Sequence, residues 1–205
     1  MQGYILRIRP VREEDLLVTV LDEGHVRTLY RFYGARHSTV NVGYKIDFTV
    51  EQGSRSDSHR LRHVMHLGFP WLFQRNKMMV WQRFCGLLAD HLRDVEEVDR
   101  FYFDLLEEGT AKMGRQDPVR LCLELYLELL EQEGRLHREM SCFLCEEPLG
   151  EEAAVTQGFL LSHPACSMVG GMEKEHLELL FREKSAAHLD DGQVDRLWNV
   201  MLRGL

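Results

Sequence analysis

Four residues in one 25-residue window have the types and spacing to do chemistry: Cys142-x2-Cys145, seventeen intervening residues, then His163-x2-Cys166. Each short pair spans a tight turn and can present two ligands about one coordination edge apart, as a tetrahedral zinc ion requires. The loop between the pairs carries Pro148, Gly150 and Gly158, so it can fold back on itself. A Cys3His set closes the coordination sphere and leaves no position for water, so the expected Zn2+ is structural. His137, just upstream, is the competing fourth ligand. A deaminase reading is weak: His137-Arg138-Glu139 precedes Cys142-Phe143-Leu144-Cys145, but only two residues separate the motifs and Ser141 stands where that signature has proline. There is also no H-E-x-x-H helix, P-loop or G-x-S-x-G elbow. The expectation is a protein that is not an enzyme.

The remaining cysteines, Cys85 and Cys122, lie among apolar residues at helical spacing and read as core. Five cysteines without a disulfide pattern suit a reducing compartment. The opening, Met1-Gln2-Gly3-Tyr4-Ile5-Leu6-Arg7-Ile8-Arg9, alternates arginine with apolar residues and does not read as a signal peptide. No stretch approaches the roughly 18–20 apolar residues of a membrane helix. A cytoplasmic location is expected. The net charge of −8 is unevenly spread: residues 1–80 hold 12 Lys and Arg against 8 Asp and Glu, and residues 81–205 hold 13 against 25. A basic front and an acidic body suggest separate partners, with polyanions at the front.

The elements that must position these residues are strands first, then helices. Strands are expected at 3–9, 15–21, 25–33 and 44–51; in the last, Tyr44, Ile46, Phe48 and Val50 alternate strictly with polar residues. Residues 59–67 read equally as a fifth strand or a short helix. Strands this short and regularly spaced fit a small OB-type barrel. Beyond Pro70, Leu72, Met79, Val80, Phe84, Leu87, Leu88 and Leu92 recur at helical spacing, as do Val98, Phe101, Leu105 and Leu106. Asp117-Pro118 is an N-cap with proline at the first helical position, and Gly134 closes that helix. Glu124, Glu128, Glu131 and Glu133 on it read as a solvated face. Helices are also expected at 173–184 and 191–202. The fold class is α+β: an N-terminal OB-type β-barrel (1–68, nucleic-acid binding), then a helical domain (69–205) with an inserted zinc knuckle at 141–172.

The order of these segments resembles the RecO recombination mediators. Gly3-Tyr4-Ile5-Leu6, Asp15-Leu16-Leu17-Val18-Thr19-Val20-Leu21 and Tyr33-Gly34-Ala35-Arg36-His37-Ser38 match that family's opening, and the strand at 44–51 its next element. Leu123-Glu124-Leu125, Gly134-x-Leu136, Cys142-x2-Cys145, Gly158-Phe159 and His163-x2-Cys166 match its last long helix and zinc knuckle. Tyr33 and His37 depart from basic residues of the family's turn, and His163 from a common cysteine. The resemblance implies a role in DNA repair: binding single- and double-stranded DNA, annealing strands, contacting single-strand-binding protein, and helping RecR load RecA. The candidate DNA contacts are Arg7, Arg9, Arg27 and Arg31 on a barrel face, Tyr30 and Tyr33 for stacking, and Arg36 and His37 on the bordering loop. Phe32 reads as barrel filling. A zinc-stapled adaptor that binds only proteins is the alternative.

Overall fold

The computed structural model describes residues 1–36, 39–52 and 59–205. Five strands, β1 (Gln2–Pro10), β2 (Leu16–Leu21), β3 (Val26–Arg31), β4 (Lys45–Gln52) and β5 (His59–His66), close a barrel in the order β1-β2-β3-β5-β4. Ile5, Val18, Val20, Leu29, Ile46, Phe48 and Leu61 fill its interior. These are the alternate positions of the expected strands, and burying them removes both sheet edges. Residues 59–66 are a strand: Leu61 points into the barrel, while His63, at φ 48°, interrupts the alternation that would have announced it.

β1 is irregular in a way that matters for the site. Ile5 pairs with Val20 and Arg7 with Thr19, so Leu6 is one extra residue, a β-bulge. Before the bulge, the outer face of β1 is covered by α1 (Arg75–His91) and α2 (Phe101–Lys112). There Tyr4 is fully buried, donates to Glu107 Oε1 at 2.6 Å, and meets Trp81 and Phe103 edge-on. Trp81 Nε1–H donates to the Gly43 carbonyl and Trp71 Nε1–H to the Thr110 carbonyl, each at 2.9 Å. After the bulge the outer face is open to solvent and carries Arg7 and Arg9.

The chain divides into two compact units, Met1–Arg115 and Gln116–Leu205. The sequence placed a boundary after residue 68. In the structure α1 and α2 belong with the barrel, because Tyr4, Trp71 and Trp81 tie them to it. Met79, expected in the core, is half exposed, since Val80, Phe84 and Leu88 already supply the inward stripe of α1.

In the second unit α3 (Pro118–Gln132) is capped as expected, with Asp117 accepting from the Val119 and Arg120 backbone N–H groups. The helix is buried on more faces than its leucine stripe suggested: Cys122, Leu123, Tyr126 and Leu127 have no exposed surface either. Around it lie α5 (Lys174–Glu183), α6 (Asp191–Met201) and a three-stranded sheet of order β7-β6-β8, formed by β6 (Glu152–Val155), β7 (Leu161–Ser162), which leads into the short helix α4 (Pro164–Ser167), and β8 (Met172–Glu173). The α3 glutamates are not simply solvated. Glu124 accepts from the Ala186 backbone N–H at 2.9 Å, and Glu128 and Glu131 share Lys184, the C-cap of α5.

Gly3 shows why the first motif starts with glycine. A Cβ there would stand 2.7 Å from Val20 Cγ1 and 2.8 Å from the Leu21 carbonyl oxygen. The carbonyl belongs to the neighbouring strand and cannot move without breaking the ladder. Gly3→Ala is expected to lower stability by about 1–3 kcal/mol, read as a drop in the denaturant midpoint at constant slope. An unchanged midpoint would show that β1 and β2 separate at little cost.

Candidate nucleic-acid interface and metal centre

Strand register sets the candidate interface. Arg9, Leu17, Tyr30 and Arg60 are successive cross-strand partners on β1, β2, β3 and β5, and Arg7, Thr19 and Thr28 form the next such row. Cross-strand partners share a face, so both rows lie on the outside of the barrel. Arg9 has no carboxylate partner among the described residues. One residue past β3, Phe32 is 37% exposed and packs edge-on against Tyr30 at 4.7 Å. The guanidiniums of Arg60 and Arg62 sit 5.2 and 6.0 Å from its ring centre. Phe32 is therefore a surface residue rather than barrel filling, because the strand ends at Arg31 and the following turn carries the ring outward.

The remaining predicted contacts fall in three places. Tyr33 is 57% exposed, and Arg36 lies 5.4 Å above its ring while also pairing with Glu14. Arg27 is opposite Val20 at the end of the barrel, where its Nε–H donates to Asp22 and fastens the turn at 22–25. Arg31 is opposite buried Leu16, so it is turned toward the barrel mouth. There its Nη1 donates to the Leu61 carbonyl, and its Nε is buried without a partner among the described residues. Burial and the Arg62 charge push its pKa down. Arg31 is thus separated from the outer rows that hold Arg7, Arg9 and Tyr30. His37 lies outside the described residues. The sequence reading missed Arg60 and Arg62; their alternation about Leu61 was the available signal, hidden by the ambiguous assignment of 59–67.

Two hydrogen bonds fix the aromatic side of this face. The Tyr30 hydroxyl donates to Asp15, which raises the tyrosine pKa. Asp15 also accepts the Tyr33 backbone N–H, and the two bonds hold its carboxylate below the usual range. Beside Arg7 and Arg9 the outer face becomes the floor of a groove of about 840 Å3, whose far wall is the end of α1 and residues 92–97. Exposed rings flanked by guanidiniums are what stacks on bases and follows a phosphate backbone.

Residues 1–72 match the family model described as RecO N terminal. Over these residues the chain is similar to the RecO N-terminal domain, and the match supports membership in the RecO family. No curated protein matches the chain. The RecO match covers the whole barrel, so the outer rows are features of that domain, whereas the metal-ligand group lies beyond it.

In the second unit Cys142, Cys145, His163 and Cys166 bring their ligand atoms within 4.8 Å of one another. His163 Nδ1 is 3.4 Å from Cys145 Sγ and 3.8 Å from Cys166 Sγ, and the two sulfurs are 4.0 Å apart. A tetrahedral ion with metal–sulfur bonds of about 2.3 Å needs ligand atoms roughly 3.5–3.8 Å apart. The geometry therefore fits. His163, not His137, joins the group, and its Nε2 lies 3.0 Å from the Pro148 carbonyl. That contact favours the tautomer with a proton on Nε2 and a free lone pair on Nδ1. Although burial disfavours the Cys142 thiolate, backbone N–H groups of His163, Leu144 and Cys145 bring its pKa down to about 6. Burial and the neighbouring Cys145 and Cys142 sulfurs raise Cys166 to about 11. Such crowding of sulfurs is relieved by a cation at their centre.

The purified chain is expected to carry one metal ion, lost on Cys166→Ser together with roughly 10 °C or more of thermal stability. Metal analysis beside a melting curve checks this. A metal-free protein whose melting is indifferent to chelator would show that the four residues pack as thiols and imidazole alone.

Proposed function

We propose that this RecO-family chain is a mediator of DNA repair and homologous recombination. It binds single- and double-stranded DNA, anneals complementary strands, and helps RecR load RecA onto DNA coated with single-strand-binding protein in the cytoplasm. One observation carries the DNA-binding part: the outer row Arg9–Leu17–Tyr30–Arg60, continued by Phe32 beneath Arg60 and Arg62. It places an aromatic platform between two cationic edges, a combination that binds a single strand with little dependence on sequence. The RecO N-terminal match supports the same reading.

Annealing needs a surface that holds strands and lowers their mutual repulsion, without nucleotide hydrolysis. The four ligands at 142–166 would hold a zinc ion in a closed tetrahedron, so the ion's contribution is a cross-link between two turns. We assign the chain no bond-making or bond-breaking step.

Arg9→Glu with Arg60→Glu is expected to weaken single-strand binding at least tenfold. Losing two phosphate contacts should also flatten the salt dependence by about 1.4 in log–log slope. Phe32→Ala should cost about 1–3 kcal/mol of affinity while leaving the salt slope nearly unchanged, which separates stacking from charge. The wild-type chain should speed annealing of complementary strands without ATP. If it stays folded and metal-loaded but neither binds nor anneals DNA, the protein-only adaptor is the better reading.

A further inference from the structure

We infer that Cys145 and Cys166 form an oxidation site, where a hydroperoxide makes a disulfide that ties the same two turns a zinc ion would tie. The inference rests on the Cys3His arrangement and not on the reading of the barrel face. The cysteines of that group are unequal in access: Cys142 is buried, whereas Cys145 and Cys166 are exposed. The Cys142 sulfur accepts the His163 backbone N–H at 3.4 Å. Its own N–H donates to the Glu147 carbonyl, and its carbonyl accepts the Glu146 N–H. Cys142 is thus bound into its turn through sulfur and main chain together. An oxidant arriving from solvent meets the other two sulfurs first, because thiol oxidation follows access.

The two exposed sulfurs already lie 4.0 Å apart, although twenty-one positions separate them in the chain. A disulfide sets its sulfurs about 2.05 Å apart, so joining them asks for roughly 2 Å of approach. The pieces of chain that carry them are short. Cys145 is followed by Glu146 in the left-handed region at φ 65°, and Cys166 lies on α4, a single helical turn that Met168 ends at φ 57°. A Cys142–Cys145 bond, by contrast, would draw the Cys142 sulfur away from its backbone donor. It would also close a ring within one turn and leave the other turn untied.

The step balances with hydrogen peroxide as the oxidant. One exposed sulfur, as its thiolate, attacks a peroxide oxygen; the O–O bond breaks, leaving a sulfenic acid and, after protonation, water. The second sulfur attacks the first, the S–O bond breaks, and the hydroxide released takes a proton and leaves as water. Two thiols and one peroxide thus give one disulfide and two waters, the sulfurs losing the two electrons that the peroxide gains. Once joined, Cys145 and Cys166 offer no thiolate, and Cys142 with His163 are too few to fill a tetrahedron. A metal cross-link is then exchanged for a covalent one between the same turns. Cys85 and Cys122 are buried and take no part.

The test treats the full chain with excess hydrogen peroxide and follows released zinc, free thiols and melting. The oxidised chain is then alkylated and cut at glutamate, where cleavage after Glu146 and Glu147 separates Cys145 from Cys166. Two thiols per chain should be lost in step with the bound zinc. The linked peptides should join Cys145 to Cys166 and carry an alkylated Cys142, and dithiothreitol with added zinc should reverse the change. The oxidised chain should melt at least about 5 °C above the reduced chain stripped by chelator, because the disulfide keeps the two turns together. A Cys142–Cys145 linkage, or thiols that survive the oxidant, would overturn the inference, as would an oxidised chain that melts with the stripped one. Zinc content before oxidation reports on the metal reading by itself. A chain purified without zinc that still forms the Cys145–Cys166 bond would sink that reading and uphold the oxidation site.

Discussion

The pairing that closes the barrel, a single parallel bridge between Tyr30 on β3 and Arg60 on β5, governs most of what the first unit can do. Without it the sheet would have two free edges, and the alternate residues Val18, Val20, Leu29, Phe48 and Leu61 would have no common interior. With it, alternation does two jobs at once. Burying one set of side chains forces the other set outward, and closure places Arg60 beside Tyr30 although thirty positions separate them in the chain. The basic and aromatic face is therefore a by-product of core packing, and its residues need not pack at all to be held in register.

What was legible in the sequence follows from how local each signal is. The strand at 45–52 could be read because Ile46 and Phe48 are buried in strict alternation, and α3 because Asp117-Pro118 caps it locally. The Cys3His group was readable from spacing, since each pair of ligands is placed by its own turn. Signals that depend on distant partners were not readable. β5 was ambiguous because His63 breaks its alternation, and with it went Arg60 and Arg62. Arg31 and Arg9 look alike in sequence, yet one faces Leu16 inside and the other Leu17 outside. The glutamates of α3 read as a solvent face because the loop that they hold lies more than fifty residues further on.

The second unit organises itself around a helix instead of a sheet. α3 supplies its centre, and Tyr126 meets Phe159 edge-on at 4.8 Å, linking the helix to the segment between the two ligand pairs. Gly158, at φ 71°, lets the chain turn so that Phe159 reaches inward while β6 and β7 pair on either side. The sheet then delivers His163 and Cys166 to Cys142 and Cys145. The Cys3His group is thus supported by apolar packing on one side and exposed at Cys145 and Cys166 on the other.

The extra residue at Leu6 has a consequence for length variation in this domain. Across the bulge the outward positions are Tyr4 and Arg7, three apart, and beyond it Arg7 and Arg9, two apart. Loss of one residue at the bulge would straighten β1 yet leave each neighbour facing as before. Loss of one residue between Arg7 and Arg9 would turn a guanidinium toward Val18 and Leu29 inside the barrel. Insertions and deletions in this strand are accordingly unequal: the bulge is the one place where chain length can drift while the charged face survives.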